Sequence, residues 1–442
     1  MLSVRASDRT SRTGSSATVY LCLVCSLILV VLSALPFTNL FPELGDLGGP
    51  LLAVAAFVCF LSWCFFVFCG VALVFRRSLG WVIRGFALVI LLPFAGTVSA
   101  YEVYARVGTP GQDEDAQDRF AMHDYDGGRL RTQWFDVTRN AEGWRSSLDY
   151  RPVGSGEILT FLIGDSFVFG AVGQDDMIDS VLRKTHLSEN HALYNFGRPG
   201  AGLDDYLRVA RHYRPLDPHN VLVFLYIGND IPSRRHAGRW PKSCSLCDSL
   251  RDGAGRVALI RRLGRQLNKM SLMSKVHPET LAALARAGIN PSHLNPSYLA
   301  WIFPKSPAAG LSEDFIAEMA AEFEGSRPLQ DTLQSLADTF LGTNFCFVLI
   351  PFHFQVSQRY VDIESAFHLP IAAPLGRQVQ DALLAWAERH RHCMIDLLPA
   401  IQEEQARTPE LLFYPLDGHL RPAGNAFVAR RLHELRVLES RR

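Results

Sequence analysis

Three residues have the types and chain order that acyl-transfer chemistry needs: Ser166, Asp417 and His419. Such chemistry requires a nucleophile, a base, a group that orients the base, and donors for a developing oxyanion. Ser166 fits the nucleophile and His419 the base. Asp417 lies two positions before His419, and in an extended segment residues i and i+2 face the same side. Asp417 can then hold one imidazole nitrogen while the other faces Ser166. The Ser166 and Gly200 N–H groups and the Asn229 side-chain amide are the candidate oxyanion donors. Taken alone, a serine after a strand is more often a turn residue or an N-cap. Nor does Ser166 lie in a G-x-S-x-G elbow, because Val168 stands where the second glycine is needed.

The pattern around these residues indicates what holds them. Residues 158–163 are a short apolar run ending at Gly164, which reads as a buried strand. Residues 174–187 then have helical spacing, with Met177, Ile178, Val181 and Leu182 apolar. Ser166 therefore falls at the carboxyl end of a strand, where open α/β sheets bind ligands. A helix N-terminus there supplies N–H groups that favour negative charge. Further strands are predicted over 191–196, 221–227, 345–350 and 393–397, and helices over 203–213, 329–341, 378–390 and 423–435. This alternation predicts an α/β fold with a mainly parallel sheet covered on both faces. Strand exits carry NFGRPGAG at 195–202 and YIGND at 226–230, and YPLDGHLRPAGN at 414–425 precedes the last helix. GRPGAG matches neither the dinucleotide nor the P-loop pattern, so nucleotide binding is discounted.

GDSFVFG, NFGRPG, GND and the final DGH resemble, in order, the four blocks of the SGNH/GDSL hydrolase family. The resemblance covers about residues 157–436 and is interrupted by an insertion. It implies a flavodoxin-like sheet and an esterase or acyltransferase, with roles falling on Ser166, Gly200, Asn229, Asp417 and His419. NAEGWR at 140–145 and LIPFHFQV at 349–356 resemble segments of membrane-anchored members that act near cell-surface glycans. Two positions depart from the family pattern. Ile227 replaces the first glycine of G-x-N-D, and D-x-H replaces D-x-x-H. Similar D-x-H spacing occurs in SGNH-like glycan O-acetyltransferases. Asp165 reads as an N-cap or loop brace, Asp230 as a support, and His353 as a residue able to face the site. His390 and His392 read as surface residues.

The chain has 442 residues, zero net charge and 48% hydrophobic residues, and nothing in that balance suggests nucleic acid. The apolar residues are concentrated in three stretches, 17–37, 51–75 and 81–100, each long enough to span a bilayer. Arg5, Arg9 and Arg12 precede the first, and Arg76, Arg77 and Arg84 surround the start of the third. The loop 38–50 has no Lys or Arg. This places the N-terminus in the cytoplasm and everything after Ala100 outside, as in a multi-pass inner-membrane protein with a periplasmic domain. The expected organisation is a membrane anchor over 1–100, an extracytoplasmic connector over 101–156 that is partly flexible and then joins the soluble domain, and a hydrolase-like domain over 157–442. Cys244 and Cys247 form a lone C-x-x-C, read as a local disulfide. Cys346 and Cys393 sit in predicted strands and read as buried thiols. No metal or organic cofactor is implied.

An insertion over 231–327 separates two predicted strands, and long connections commonly carry function. Its first part, residues 231–275, holds 11 Lys plus Arg against two Asp, a charge of 11 − 2 = +9. Leu259, Leu263, Leu267 and Met270 can share one helix face, with Arg261, Arg262, Arg265 and Lys269 off it. The plain reading is a solvated amphipathic helix; the sharper one is contact with an anionic lipid surface or glycan. The whole pattern points to a membrane-anchored serine esterase or O-acyltransferase acting on acetyl or other ester groups of a cell-envelope glycan. An inactive glycan-binding or assembly subunit on the same fold is the alternative.

Overall fold

The computed structural model describes residues 119–126, 129–231, 269–305 and 311–438. The three predicted membrane spans lie outside the described residues, as do Cys244, Cys247, Arg261, Arg262 and Arg265. Among the described residues, no helix is long and apolar enough to cross a membrane.

Strands β1 (Arg119–Asp126) and β2 (Arg129–Asp136) pair as an antiparallel hairpin. Five further strands form a parallel sheet: β3 (Ile158–Gly164), β4 (His191–Gly197), β5 (Asn220–Tyr226), β6 (Asn344–Ile350) and β7 (Cys393–Asp396). Their order is β4-β3-β5-β6-β7. Counted within this sheet alone, that is the flavodoxin-like order 2-1-3-4-5. β5 is buried along its whole length, which explains its unbroken apolar run rather than an alternating one. The order reverses at β3, which has β4 on one side and β5 on the other. Such a switch point opens a crevice at the carboxyl ends of the strands. β3 ends at Gly164, so the chain delivers Ser166 there.

Besides three short 3₁₀ helices, twelve α-helices have both ends among the described residues. They are α1 (Ser166–Phe169), α2 (Ile178–Thr185), α3 (Leu203–Tyr213), α4 (Pro278–Arg286), α5 (Pro296–Ile302) and α6 (Glu313–Gly325). They continue with α7 (Arg327–Thr339), α8 (His353–Val356), α9 (Gln358–Ser365), α10 (Gln378–His390), α11 (Leu398–Arg407) and α12 (Pro422–Glu434). α3 and α10 have the predicted bounds. The helix predicted over 174–187 is shorter, because Met177 takes an extended conformation and α2 begins after it. Met177 is fully buried with Val172 and Tyr414 against Met122, Phe120 and Phe135 of the hairpin.

The described part of 101–156 packs on the domain: the hairpin closes a second small core, and Asp124 pairs with Arg421 just before α12. The described part of the insertion also joins the main core, through Leu284, Tyr298, Leu299, Ile302, Phe315 and Ile316. One expectation is corrected outright: Cys346 and Cys393 are not free thiols but a disulfide. They are register partners on the adjacent strands β6 and β7, with Cα atoms 4.6 Å apart. That spacing lies within disulfide range.

Candidate active site

The turn after β3 is held from several sides. α1 is a single turn starting at Ser166, and Asp165 caps it by accepting the Phe167 N–H at 2.9 Å. β4 approaches this turn closely: a Cβ on Gly197 would lie 2.0 Å from the Phe169 nitrogen, so only glycine fits. Asn195, also on β4, donates to the Val168 carbonyl at 2.9 Å and accepts from the Gly197 N–H at 2.8 Å. Arg145 holds the far end. It is 1% exposed and lies 4.9 Å from the Phe120 and Phe169 ring centroids. Its guanidinium donates to the carbonyls of Phe169 at 3.0 Å and Val172 at 2.6 Å, and to that of Gly170. Burial lowers its pKa to about 10, against the opposing charge of Asp179, so it remains a cation at neutral pH.

The second half of the site is a tight turn. The bridge Phe413↔Leu420 closes it, with the Tyr414 N–H donating to the His419 carbonyl at 2.8 Å and the Gly418 N–H to the Tyr414 carbonyl at 2.8 Å. Leu416 and Gly418 both take left-handed φ, 62° and 84°. The expected extended segment is therefore absent. The D-x-H spacing works because the chain reverses at Gly418, which turns the Asp417 carboxylate back onto the following imidazole. His419 Nδ1 donates to Asp417 Oδ1, and the His419 backbone N–H reaches the same oxygen at 3.4 Å. His419 Nε2 then accepts from the Ser166 hydroxyl at 2.7 Å. The ring of His419 lies 5.1 Å from that of Phe167.

The electrostatics follow from these contacts. Burial alone would lower the His419 pKa, but the Asp417 charge and hydrogen bond, with Asp165 beyond, leave it above the ordinary 6.5. Burial would raise that of Asp417, yet the His419 charge and its two hydrogen bonds, with His123 beyond, hold it below the ordinary 3.8. The pair is thus poised to become aspartate and imidazolium when Ser166 gives up its proton.

The three candidate oxyanion donors lie on three strand exits. Ser166 is the first residue of α1, and its N–H takes no hydrogen bond among the described residues. The same is true of the Gly200 N–H, at an exposed left-handed position with φ 72°. Asn229 is exposed, and one N–H of its amide donates to Asp165 Oδ2 at 2.8 Å, leaving the other for a substrate oxygen. Asp165 therefore joins the serine turn to the asparagine turn as well as capping α1. Burial raises its pKa, against the opposing bonds from Phe167 and Asn229. Asp230 accepts from the Tyr226 N–H at 2.8 Å and the Tyr206 hydroxyl at 3.0 Å, bracing the loop that carries Asn229.

Other candidates fall elsewhere. His353 is fully buried and bonds Glu364 and Tyr298 rather than Ser166 or Asp417. His390 and His392 bond the Trp386 carbonyl and Gln334. Lys269 is half-buried and opens the stretch described after residue 268. No group of three or more metal-ligating side chains is gathered among the described residues. The sequence carried no pattern for the roles of Arg145, Asn195 and Asp124; only the NAEGWR resemblance drew attention to Arg145.

No family model matches the chain, and no curated protein matches it. Among solved structures, it is similar to a member of the lipolytic protein G-D-S-L family from Veillonella parvula DSM 2008, with 11% identity over 63% of this chain and 97% of that one, at a TM-score of 0.31. It is similar to a lipase/acylhydrolase from Enterococcus faecalis, with 13% identity over 63% and 96% at 0.31. It is also similar to a catalytic mutant of an acetylxylan esterase from Geobacillus stearothermophilus, with 14% identity over 65% and 97% at 0.31.

Proposed function

We propose that this chain is a serine ester hydrolase or acyltransferase of the SGNH type. The observation that carries the reading is the continuous relay from Asp417 through His419 to the Ser166 hydroxyl, with the Ser166 and Gly200 N–H groups making no hydrogen bond among the described residues. In the reaction, His419 takes the Ser166 proton as Oγ attacks the ester carbonyl. The Ser166 and Gly200 N–H groups and the Asn229 amide receive the oxyanion. Asp417 holds the imidazole orientation and offsets the imidazolium charge. His419 then gives the proton to the departing alcohol, leaving an acyl group on Ser166. Water or an acceptor hydroxyl, deprotonated in turn by His419, attacks the acyl carbon; the bond from that carbon to Ser166 Oγ breaks, and His419 returns the proton to Oγ.

We infer further that the substrate is an acylated glycan, most simply an acetylated one, outside the cytoplasm. The resemblance of NAEGWR and LIPFHFQV to segments of members that act near cell-surface glycans supports this. A cleft of about 570 Å³ between Trp144, Arg198, Asp205, His212 and Tyr213 is lined by none of Ser166, Gly200, Asn229, Asp417 and His419, so it carries no part of the reading. The disulfide Cys346–Cys393 suits an oxidising compartment. The apolar stretches before Ala100 would anchor the domain to the inner membrane, and the +9 segment at 231–275 would meet an anionic lipid surface or glycan. The test is release of acetate from an aryl acetate and from acetylated oligosaccharides by the full-length protein in detergent, with Ser166→Ala alongside. A binding or assembly subunit would release none.

A further inference from the structure

Behind the catalytic turn lies a second buried polar cluster. Glu364 of α9 is fully buried, and its carboxylate accepts from three segments at once. The Tyr298 hydroxyl of α5 donates to both oxygens at 2.8 Å. His353, at the start of α8, lies with Nε2 2.9 Å from Oε1. The Leu416 backbone N–H donates to Oε1 at 3.1 Å. Tyr298 keeps its proton, because burial and the adjacent Glu364 charge push its pKa well above the ordinary 10.0. Facing an acceptor, His353 carries its proton on Nε2. Its Nδ1 is buried without a partner, and a Cβ on Gly418 would come within 3.3 Å of it. The cluster thus abuts both ends of the segment 416–418.

The position of the Leu416 contact gives it consequence. Leu416 is a fully buried non-glycine residue with φ 62°, a conformation that persists only where surroundings enforce it. Its neighbour is Asp417. If Leu416 relaxed to negative φ, the direction of the Asp417 carboxylate would swing away from His419. We propose that Glu364 is a positioning residue for the catalytic centre: by holding the Leu416 N–H it maintains the turn that aims Asp417 at His419. Tyr298 and His353 in turn fix Glu364, so the inserted segment that carries Tyr298 tunes a relay it never touches. This inference rests on the reading of Ser166, His419 and Asp417 as catalytic.

The test is a double-mutant cycle in the full-length protein. Glu364→Leu keeps the approximate bulk and removes the acceptor. Its kcat for an aryl acetate should fall about 10- to 100-fold with KM within about twofold, since misplacing a catalytic group by an ångström has costs of that size. Because Glu364 acts through Asp417, Glu364→Leu combined with Asp417→Asn should lose no more than Asp417→Asn alone. Glu364→Gln with its oxygen at the Oε1 position keeps the acceptor for both the Leu416 N–H and His353 Nε2, while its NH2 at the Oε2 position donates to the Tyr298 hydroxyl oxygen, so it should recover most of the kcat. Tyr298→Phe removes one hydroxyl and provides the same cycle with a smaller loss should Glu364→Leu not fold. Losses that multiply in the double mutant, or a kcat unchanged in both single variants, would overturn the positioning role while leaving the catalytic reading intact. A wild-type protein without Ser166-dependent turnover would instead remove the premise.

Discussion

His419 Nε2 stands 2.7 Å from Ser166 Oγ, although 253 residues separate them in the chain. β3 sends Ser166 into the switch-point crevice, and the turn before α12 brings His419 to the same edge. Neither residue is held by its immediate neighbours alone. Asp165, Asn195 and Arg145 fix the serine turn, and Glu364 contacts the histidine turn.

The acid limb of the pH–rate profile reports His419. Its folded pKa is raised above 6.5, and only the neutral imidazole accepts the Ser166 proton. Turnover of a neutral aryl ester should therefore rise with pH through a value above 6.5. Asp417→Asn should shift that limb downward and lower kcat by about 10²- to 10⁴-fold. An unshifted limb in that variant would detach Asp417 from the base.

The same pair makes a signed contribution to stability. A raised histidine value stabilises the fold at low pH and loses that effect as pH rises through the folded value. A lowered aspartate value stabilises at higher pH and loses the effect as pH falls through the folded value. Both are present together between the ordinary values of 3.8 and 6.5. Wild type minus Asp417→Asn, followed by urea unfolding across pH, should be largest in that window. A difference that grew steadily toward pH 9 would contradict the pairing.

Gly197→Ala places a methyl group on the backbone of the serine turn, 2.0 Å from the Phe169 nitrogen. The turn must shift, so the variant should lose about 2–4 kcal/mol of stability together with most activity. An unchanged denaturation midpoint would mean that β4 does not press on α1.

Thiol titration of the unfolded, unreduced protein should find Cys346 and Cys393 unreactive. Cys393→Ser should destabilise the domain by about 4 kcal/mol, since the bond closes a loop of 47 residues. Two reactive thiols at these positions in protein from the native compartment would count against both the bond and the oxidising setting.

The five sheet strands were legible because each is a short apolar run, and α3 and α10 because their apolar residues recur at helical spacing. The hairpin was not legible. Arg119–Asp126 carries Arg, His and two Asp, and only Phe120 and Met122 reach the small core. Arg145 was hidden for a related reason: arginine is ordinarily exposed, and its burial depends on carbonyls from the turn after Ser166. The disulfide was missed because pairing of Cys346 with Cys393 depends on the register of β6 on β7, which neither strand encodes alone. Ser166, Asp417 and His419 were singled out in the sequence, but the turn uniting Asp417 and His419 was not legible, because it depends on left-handed φ at Leu416 as well as Gly418.

Active-site labelling tests the central claim most directly. A serine-reactive fluorophosphonate added to the wild-type protein should form one covalent adduct, located on the peptide containing Ser166. Ser166→Ala should give none, and His419→Ala should label at least about 10³-fold more slowly, because the base that activates the hydroxyl is gone. A folded wild-type protein that takes up no label, or one labelled equally well without Ser166, would contradict the account.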